Sequence, residues 1–262
     1  MKEAIKLVLV YFACQIVGAI LAMIPCAIVA LVWYKDFSLV QDMMLAPSML
    51  VGFALMTFYL FRKKYIPFDL QSWSAISASY LSSVILLTFS VMFLIDWLMS
   101  HLTFLPNWLD ASFDVLSSNW LGILSVSVLG PILEELLFRG AITKILLKKY
   151  KPAKAIILSG LIFGIFHLNP VQVVGAALVG FVFAWMYYKT KSLLPGIVMH
   201  IVNNSTSVYL ATKYPDVDYL NELSGDNYTL YLGIAMALMI LLVLYMEKLM
   251  AHKKRENANI IN

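Results

Sequence analysis

Three short constellations carry side chains able to do chemistry, and all three lie in segments apolar enough to cross a bilayer. The first is GPILEELLFRG, Gly130 to Gly140, with Glu134, Glu135 and Arg139. The second pairs Phe163 with His167, and the third pairs His200 with Asn204. A charge at the centre of a membrane helix costs about 2.5 to 3.5 kcal/mol, whereas each Leu, Ile, Phe or Val returns only about 0.3 to 0.6. Three such charges roughly cancel or exceed what the apolar residues between Leu121 and Ile142 supply. They must be paired, or turned toward protein or water, and ionisable groups so placed mark a candidate functional site.

The spacing separates their jobs. Glu135 and Arg139, four residues apart, share a helix face and can form an ion pair. Glu134 points about 100° away and has no local cation left to neutralise it. His167 lies one turn past Phe163, and Asn204 one turn past His200. At a rise of about 1.5 Å per residue, Glu134 is roughly 21 Å from Lys148, His167 roughly 20 Å from Lys154 and His200 roughly 14 Å from Lys191, depths compatible with one shared site. Pro131, Pro170 and Pro195 flank the motifs. A proline in a membrane helix frees a carbonyl that protein or water must satisfy, so broken helices around a water-accessible polar cavity are expected.

Two chemistries fit a carboxylate and two histidines around water. In one, Glu134 is a general base that activates water for attack on a carbonyl while His167 helps hold that water. His200 and Asn204 then donate to the developing oxyanion, worth roughly 3 to 4 kcal/mol per donor. In the other, Glu134, His167 and His200 ligate zinc, whose bound water is the nucleophile. No HExxH pattern is present.

Ordinary structural roles stand beside these. Glu135 with Arg139 can be a clamp, His167 an interfacial histidine, and His200 with Asn204 interhelical hydrogen-bonding glue. Glu134 is the hardest to explain in that way. Gly160 and Gly164 read as a helix-packing pair, and Asp96, beside Trp97 near a span end, reads as solvated.

The elements that must position these residues follow from composition. The chain has 262 residues, is 61% hydrophobic and only 13% charged, which excludes an ordinary soluble domain. Cys14 and Cys26 fall in the first apolar run and read as small core residues. Hydropathy gives eight expected spans, at about 7–33, 43–61, 76–98, 120–146, 153–168, 171–188, 192–211 and 228–248. Residues 100–118, with Phe104, Trp108 and Phe113 among Asp and Ser, read as an interfacial segment, and 213–227 as a short acidic loop.

Basic residues are one-sided. Lys2, Lys6, Arg62, Lys63, Lys64, the cluster from Lys144 to Lys154, Lys189, Lys191, Lys248, Lys253, Lys254 and Arg255 fall on one side, and only Lys35 and Lys213 on the other. Both termini are therefore expected in the cytoplasm. The net charge of +4 does not imply nucleic acid in such a chain.

Glu-Glu-x-x-x-Arg, Phe-x-x-x-His and His-x-x-x-Asn, in that order on successive membrane helices, resemble the CPBP family, the CAAX prenyl proteases and bacteriocin-processing or self-immunity proteins also called Abi. The resemblance implies an intramembrane endopeptidase in which Glu134 and His167 activate water, His200 and Asn204 stabilise the oxyanion, and Glu135, Arg139 and Phe163 support them. It implies either a glutamate-dependent or a metal-dependent mechanism.

The expectation is thus an all-α polytopic membrane protein, a single membrane domain over 1–262. Residues 120–211 hold the catalytic helices, and 1–118 form N-terminal helices that shape substrate access. The expected partner is a hydrophobic or lipid-modified peptide in the bilayer. No cofactor is required in the preferred mechanism, with zinc as the alternative. A non-enzymatic immunity or scaffold protein, or a proton-coupled carrier, is the competing reading; the lack of an internal repeat and the confinement of the polar residues to the second half weigh against a carrier.

Overall fold

The computed structural model describes residues 1–66, 73–74 and 76–261, with side chains as far as His252. The basic residues Lys253, Lys254 and Arg255 used for orientation therefore lie outside the described side chains. The described chain is helical throughout, with turns between the helices. It runs as α1 Lys2–Tyr34, α2 Phe37–Arg62, α3 Ala78–Met99, α4 Asp110–Ser117, α5 Trp120–Lys149, α6 Pro152–Phe166, α7 Pro170–Thr190, α8 Leu194–Lys213 and α9 Leu220–His252. The backbone of α9 stays helical to Ile261. This is an all-α polytopic membrane protein.

All eight expected spans correspond to helices, but among the described residues six rather than eight are long and apolar enough to cross a membrane unaided. The two that fall short carry the second and third motifs, with His167 at the end of α6 and His200 and Asn204 on α8. Helix α6, with 15 residues, is about 22 Å long, short of a hydrocarbon core about 30 Å thick. Helix α8 has the length, with 20 residues, but its stretch from His200 to Ser207 is too polar. Of their polar side chains, Ser159 of α6 and His200 of α8 are buried within the protein.

Helix α5 is the axis of the bundle. Of its most apolar window 56% is buried, against 39% or less for the other five spanning helices. Leu133, Leu137, Phe138 and Ile142 of α5 pack in one core with Phe163 of α6, Phe183 of α7 and Met199 of α8. The sequence predicts a broken helix at Pro131, and the structure shows a continuous one that widens instead. Wide turns with hydrogen bonds five residues back run over Ser125–Leu129 and Leu136–Thr143, on either side of Gly130–Glu135. Pro131 has no N–H to donate backwards, and a wider turn accommodates it without a break.

Helices α6 and α7 cross closely at the small residues. A side chain at Gly164 would put its first carbon 2.5 Å from the Val173 carbonyl, so the expected packing role of the Gly160/Gly164 pair holds. Residues 100–109 form turns that lead into α4 and leave Phe104 and Trp108 largely exposed. Asp96 is half-buried rather than solvated, and its carboxylate accepts the Leu220 N–H at 3.1 and 3.2 Å, tying the start of α9 to α3. Cys14 and Cys26 are both free, the latter buried.

Candidate active site

Arg139 is the most deeply held group. It is fully buried, and its Nη1 donates to Glu135 Oε1 at 2.8 Å while Nη2 donates to the Gly180 carbonyl at 3.1 Å. Its guanidinium carbon lies 4.5 Å from the centre of the Phe163 ring and 4.7 Å from that of Phe183. A planar delocalised cation between two aromatic faces is weakly hydrated to begin with, which lowers the cost of burying it. The ion pair expected from the four-residue spacing is present, and α7 adds the Gly180 carbonyl that no spacing could announce.

Glu135 has a second partner. His200 Nδ1 lies 3.3 Å from the same Oε1 that receives Arg139. A carboxylate oxygen only accepts, so Nδ1 carries the hydrogen and Nε2 is the nitrogen left for other work. That nitrogen stands 3.7 Å from Glu134 Oε2. Glu134 Oε2 is itself buried with no hydrogen-bond partner. The approach of α8 depends on Gly196, because a first side-chain carbon there would collide with Glu135 Oε2.

His167 sits at the carboxy-terminal end of α6, and its Nδ1 lies 2.8 Å from the Phe163 carbonyl. The carbonyl fixes the hydrogen on Nδ1 and leaves Nε2 with a free lone pair. His167 and His200 both contact Phe163, whose ring centre is 4.9 Å from one and 5.7 Å from the other. Phe163 thus touches Arg139 and both histidines, more than its place in a two-residue motif suggests. From the first half of the chain, Tyr11 and Phe12 of α1 stack on Phe166 at 4.6 and 5.5 Å, beside His167.

Asn204 is engaged by the backbone of α5. The Gly130 N–H bonds to the Ser125 carbonyl, five residues back, so in that register the Val126 carbonyl would be served by residue 131, a proline without an N–H. Asn204 Nδ2 supplies the missing donor at 2.9 Å. The carbonyl freed by Pro131 is therefore capped from α8, and Asn204 retains a second amide hydrogen. Its Oδ1 accepts from Asn203 at 3.1 Å.

Exposure sorts these residues. Glu135, Arg139, Phe163 and His200 are buried, whereas Glu134, His167 and Asn204 are partly exposed. A wholly enclosed charge pair thus backs a partly accessible edge. The alternative zinc set of Glu134, His167 and His200 is not gathered for ligation, since among the described residues no group of three His, Cys, Asp or Glu side chains is placed to hold a metal ion.

The fold and this cluster define a polytopic membrane protein with a polar site built on α5, α6 and α8. Residues 116–206 match the family model of type II CAAX prenyl endopeptidases, Rce1-like. The chain is 35% identical over 115 residues to "Putative membrane peptidase YdiL" of Bacillus subtilis (strain 168). That match covers 44% of this chain and 47% of the relative, so the chain spans about half the length of the curated relative it matches. No solved structure matches. The Glu-Glu-x-x-x-Arg, Phe-x-x-x-His and His-x-x-x-Asn motifs all lie inside the segment that matches the family model.

Proposed function

We propose that the protein is an intramembrane endopeptidase in which Glu134 activates water for hydrolysis of a peptide bond in a membrane-associated peptide or protein. The observation that carries this reading is the contrast between neighbouring carboxylates: each has one buried oxygen without a hydrogen-bond partner, but Glu135 is enclosed and tied through Oε1 to Arg139 and His200, whereas Glu134 is partly exposed and faces His200 Nε2 at 3.7 Å. Two neighbouring carboxylates are thereby given different work, one structural and one free to take a proton.

In this mechanism Glu134 accepts a proton from water as the water oxygen bonds to the peptide carbonyl carbon. His167, its free Nε2 beside the path, helps hold that water. In this proposal the His200 ring carries a hydrogen on each nitrogen, so that while Nδ1–H is held by Glu135, Nε2–H and the second amide hydrogen of Asn204 donate to the carbonyl oxygen as charge develops on it. Glu134 then returns its proton to the amide nitrogen as the C–N bond breaks, leaving an amine and a carboxylic acid that gives up its proton to solvent. Glu135, Arg139 and Phe163 hold His200 and the turns of α5 and α6.

The reading extends to topology and substrate. The one-sided basic residues support cytoplasmic termini. The bilayer setting suits a hydrophobic or lipid-modified peptide, and the stacking of α1 on Phe166 supports substrate access bordered by the N-terminal helices. The test is cleavage of a small panel of membrane peptides by purified protein in detergent or proteoliposomes. Wild type is expected to cleave at least one peptide and Glu134→Gln none. Retained cleavage by Glu134→Gln, or no cleavage of any peptide by wild type, overturns the reading.

A further inference from the structure

His167 ends α6, and the residue after it, Leu168, has a left-handed backbone with φ of 54°. A left-handed leucine costs about 1 to 2 kcal/mol and persists only where its surroundings fix it. The Leu168 side chain is itself exposed, so it does not supply the constraint. The next residue does. Asn169 is fully buried and stands at the start of α7, where an asparagine side chain ordinarily caps the helix by accepting a backbone N–H two or three residues on. Here it makes no such cap.

Its carboxamide reaches in the other direction. Asn169 Oδ1 accepts the Trp108 N–H at 2.9 Å, and Nδ2 donates to Asn107 Oδ1 at 2.8 Å. Asn107 in turn donates through Nδ2 to Asp110 Oδ1 at 2.8 Å, at the start of α4. One buried side chain thus joins the turn that carries His167 to a segment 61 and 62 residues away in sequence. We propose that Asn169 is a positioning residue for His167, latching the α6–α7 turn to the 100–109 segment so that the His167 ring keeps its orientation toward the site.

The role in catalysis rests on the peptidase reading above, but the positioning itself can be measured without activity. The chain has four histidines, His101, His167, His200 and His252, so ring resonances of histidine-labelled full-length protein in nanodiscs are assignable with His167→Gln. In Asn169→Ala the His167 resonance is expected to shift or broaden while that of His200 stays in place. The kcat for a cleaved peptide is expected to fall about 10- to 100-fold with KM within about twofold, the cost of a misplaced group. Asn107→Ala removes the same latch from the far side, and the double variant is expected to be no worse than Asn169→Ala.

An unmoved His167 resonance in folded Asn169→Ala, or fully additive losses in the double variant, overturns the proposal. Should Asn169→Ala fail to fold, the His167 resonance in Asn107→Ala decides alone. If wild type cleaves no peptide while the His167 resonance responds as expected, the peptidase reading fails and the latch stands.

Discussion

His200 Nδ1 stands 3.3 Å from the Glu135 oxygen that also receives Arg139 at 2.8 Å, so the ion pair inside α5 and the histidine of α8 are one network. Because Nδ1 is fixed in this way, the orientation of the ring is set by a charge pair that water does not reach. The other ring nitrogen is thereby presented to Glu134. The two glutamates share this histidine, which is why removing either is expected to have a different consequence.

Glu134→Gln is expected to abolish cleavage while leaving thermal unfolding in detergent within a few degrees of wild type, because Glu134 Oε2 has no hydrogen bond to lose and meets His200 Nε2 only at 3.7 Å. Glu135→Gln is expected to reduce both activity and stability. It leaves the fully buried Arg139 without its counter-charge, a change that typically costs about 3 to 5 kcal/mol. Denaturation of the two variants side by side checks this; equal stability loss in both would show that the division of labour is wrong.

Gly196→Ala tests the approach of α8. The added carbon would collide with Glu135 Oε2, so either the carboxylate or α8 must move, and His200 moves with it. Overpacking of this kind costs about 1 to 3 kcal/mol. A displacement near 1 Å at a reacting group lowers the rate by about 100-fold. The expected result is a large fall in kcat with a modest drop in unfolding temperature, read from steady-state kinetics and a thermal scan. Wild-type kinetics in this variant would mean that the contact with Glu135 does not set the position of His200.

Much of this was legible in the sequence where it depended on neighbours along one helix. The Glu135–Arg139 pair, the freedom of Glu134 and the grouping of Phe163 with His167 all follow from residues three or four apart. The contacts between helices were not legible in the same way, since His200 meets Glu135 across 65 residues and Arg139 meets Gly180 across 41. Periodicity says which face a residue occupies but not which helix faces it. The wide turns of α5 also escaped the pattern, because Pro131 signals a disturbed helix without saying whether it breaks or widens. Hydropathy placed a helix at each of the eight expected spans, although α6 is short and α8 too polar between His200 and Ser207 to cross a membrane unaided. Asp96 read as solvated because its partner, the Leu220 N–H, lies 124 residues away.

Chelation separates the two chemistries left open by the motifs. Glu134 and His200 approach to 3.7 Å, but no three potential ligands among the described residues are gathered for a metal. A general-base mechanism is therefore expected to survive prolonged dialysis against a strong chelator, with kcat within about twofold of the untreated protein. Loss of cleavage on chelation, restored by adding back zinc, would overturn that expectation and require Glu134, His167 and His200 to draw together around an ion.

Asn204 and Pro131 offer a sharper test, because the structure gives Asn204 a job that has nothing to do with substrate. Its Nδ2 donates to the Val126 carbonyl, the acceptor that Pro131 cannot serve. Asn204→Ala leaves that carbonyl without a donor, and an orphaned buried acceptor costs about 1 to 3 kcal/mol. Pro131→Ala restores an N–H at the one position from which α5 can reach Val126. In the double variant the backbone then replaces the lost amide, so the stability penalty of Asn204→Ala is expected to shrink or vanish. Activity is expected to stay low, since the second amide hydrogen of Asn204 is still missing from the site. Thermal or denaturant unfolding of the two single variants and the double variant gives the coupling directly. Additive penalties would show that Pro131 does not create the need for Asn204, whereas recovery of both stability and cleavage would confine Asn204 to holding α5 and remove it from the chemistry.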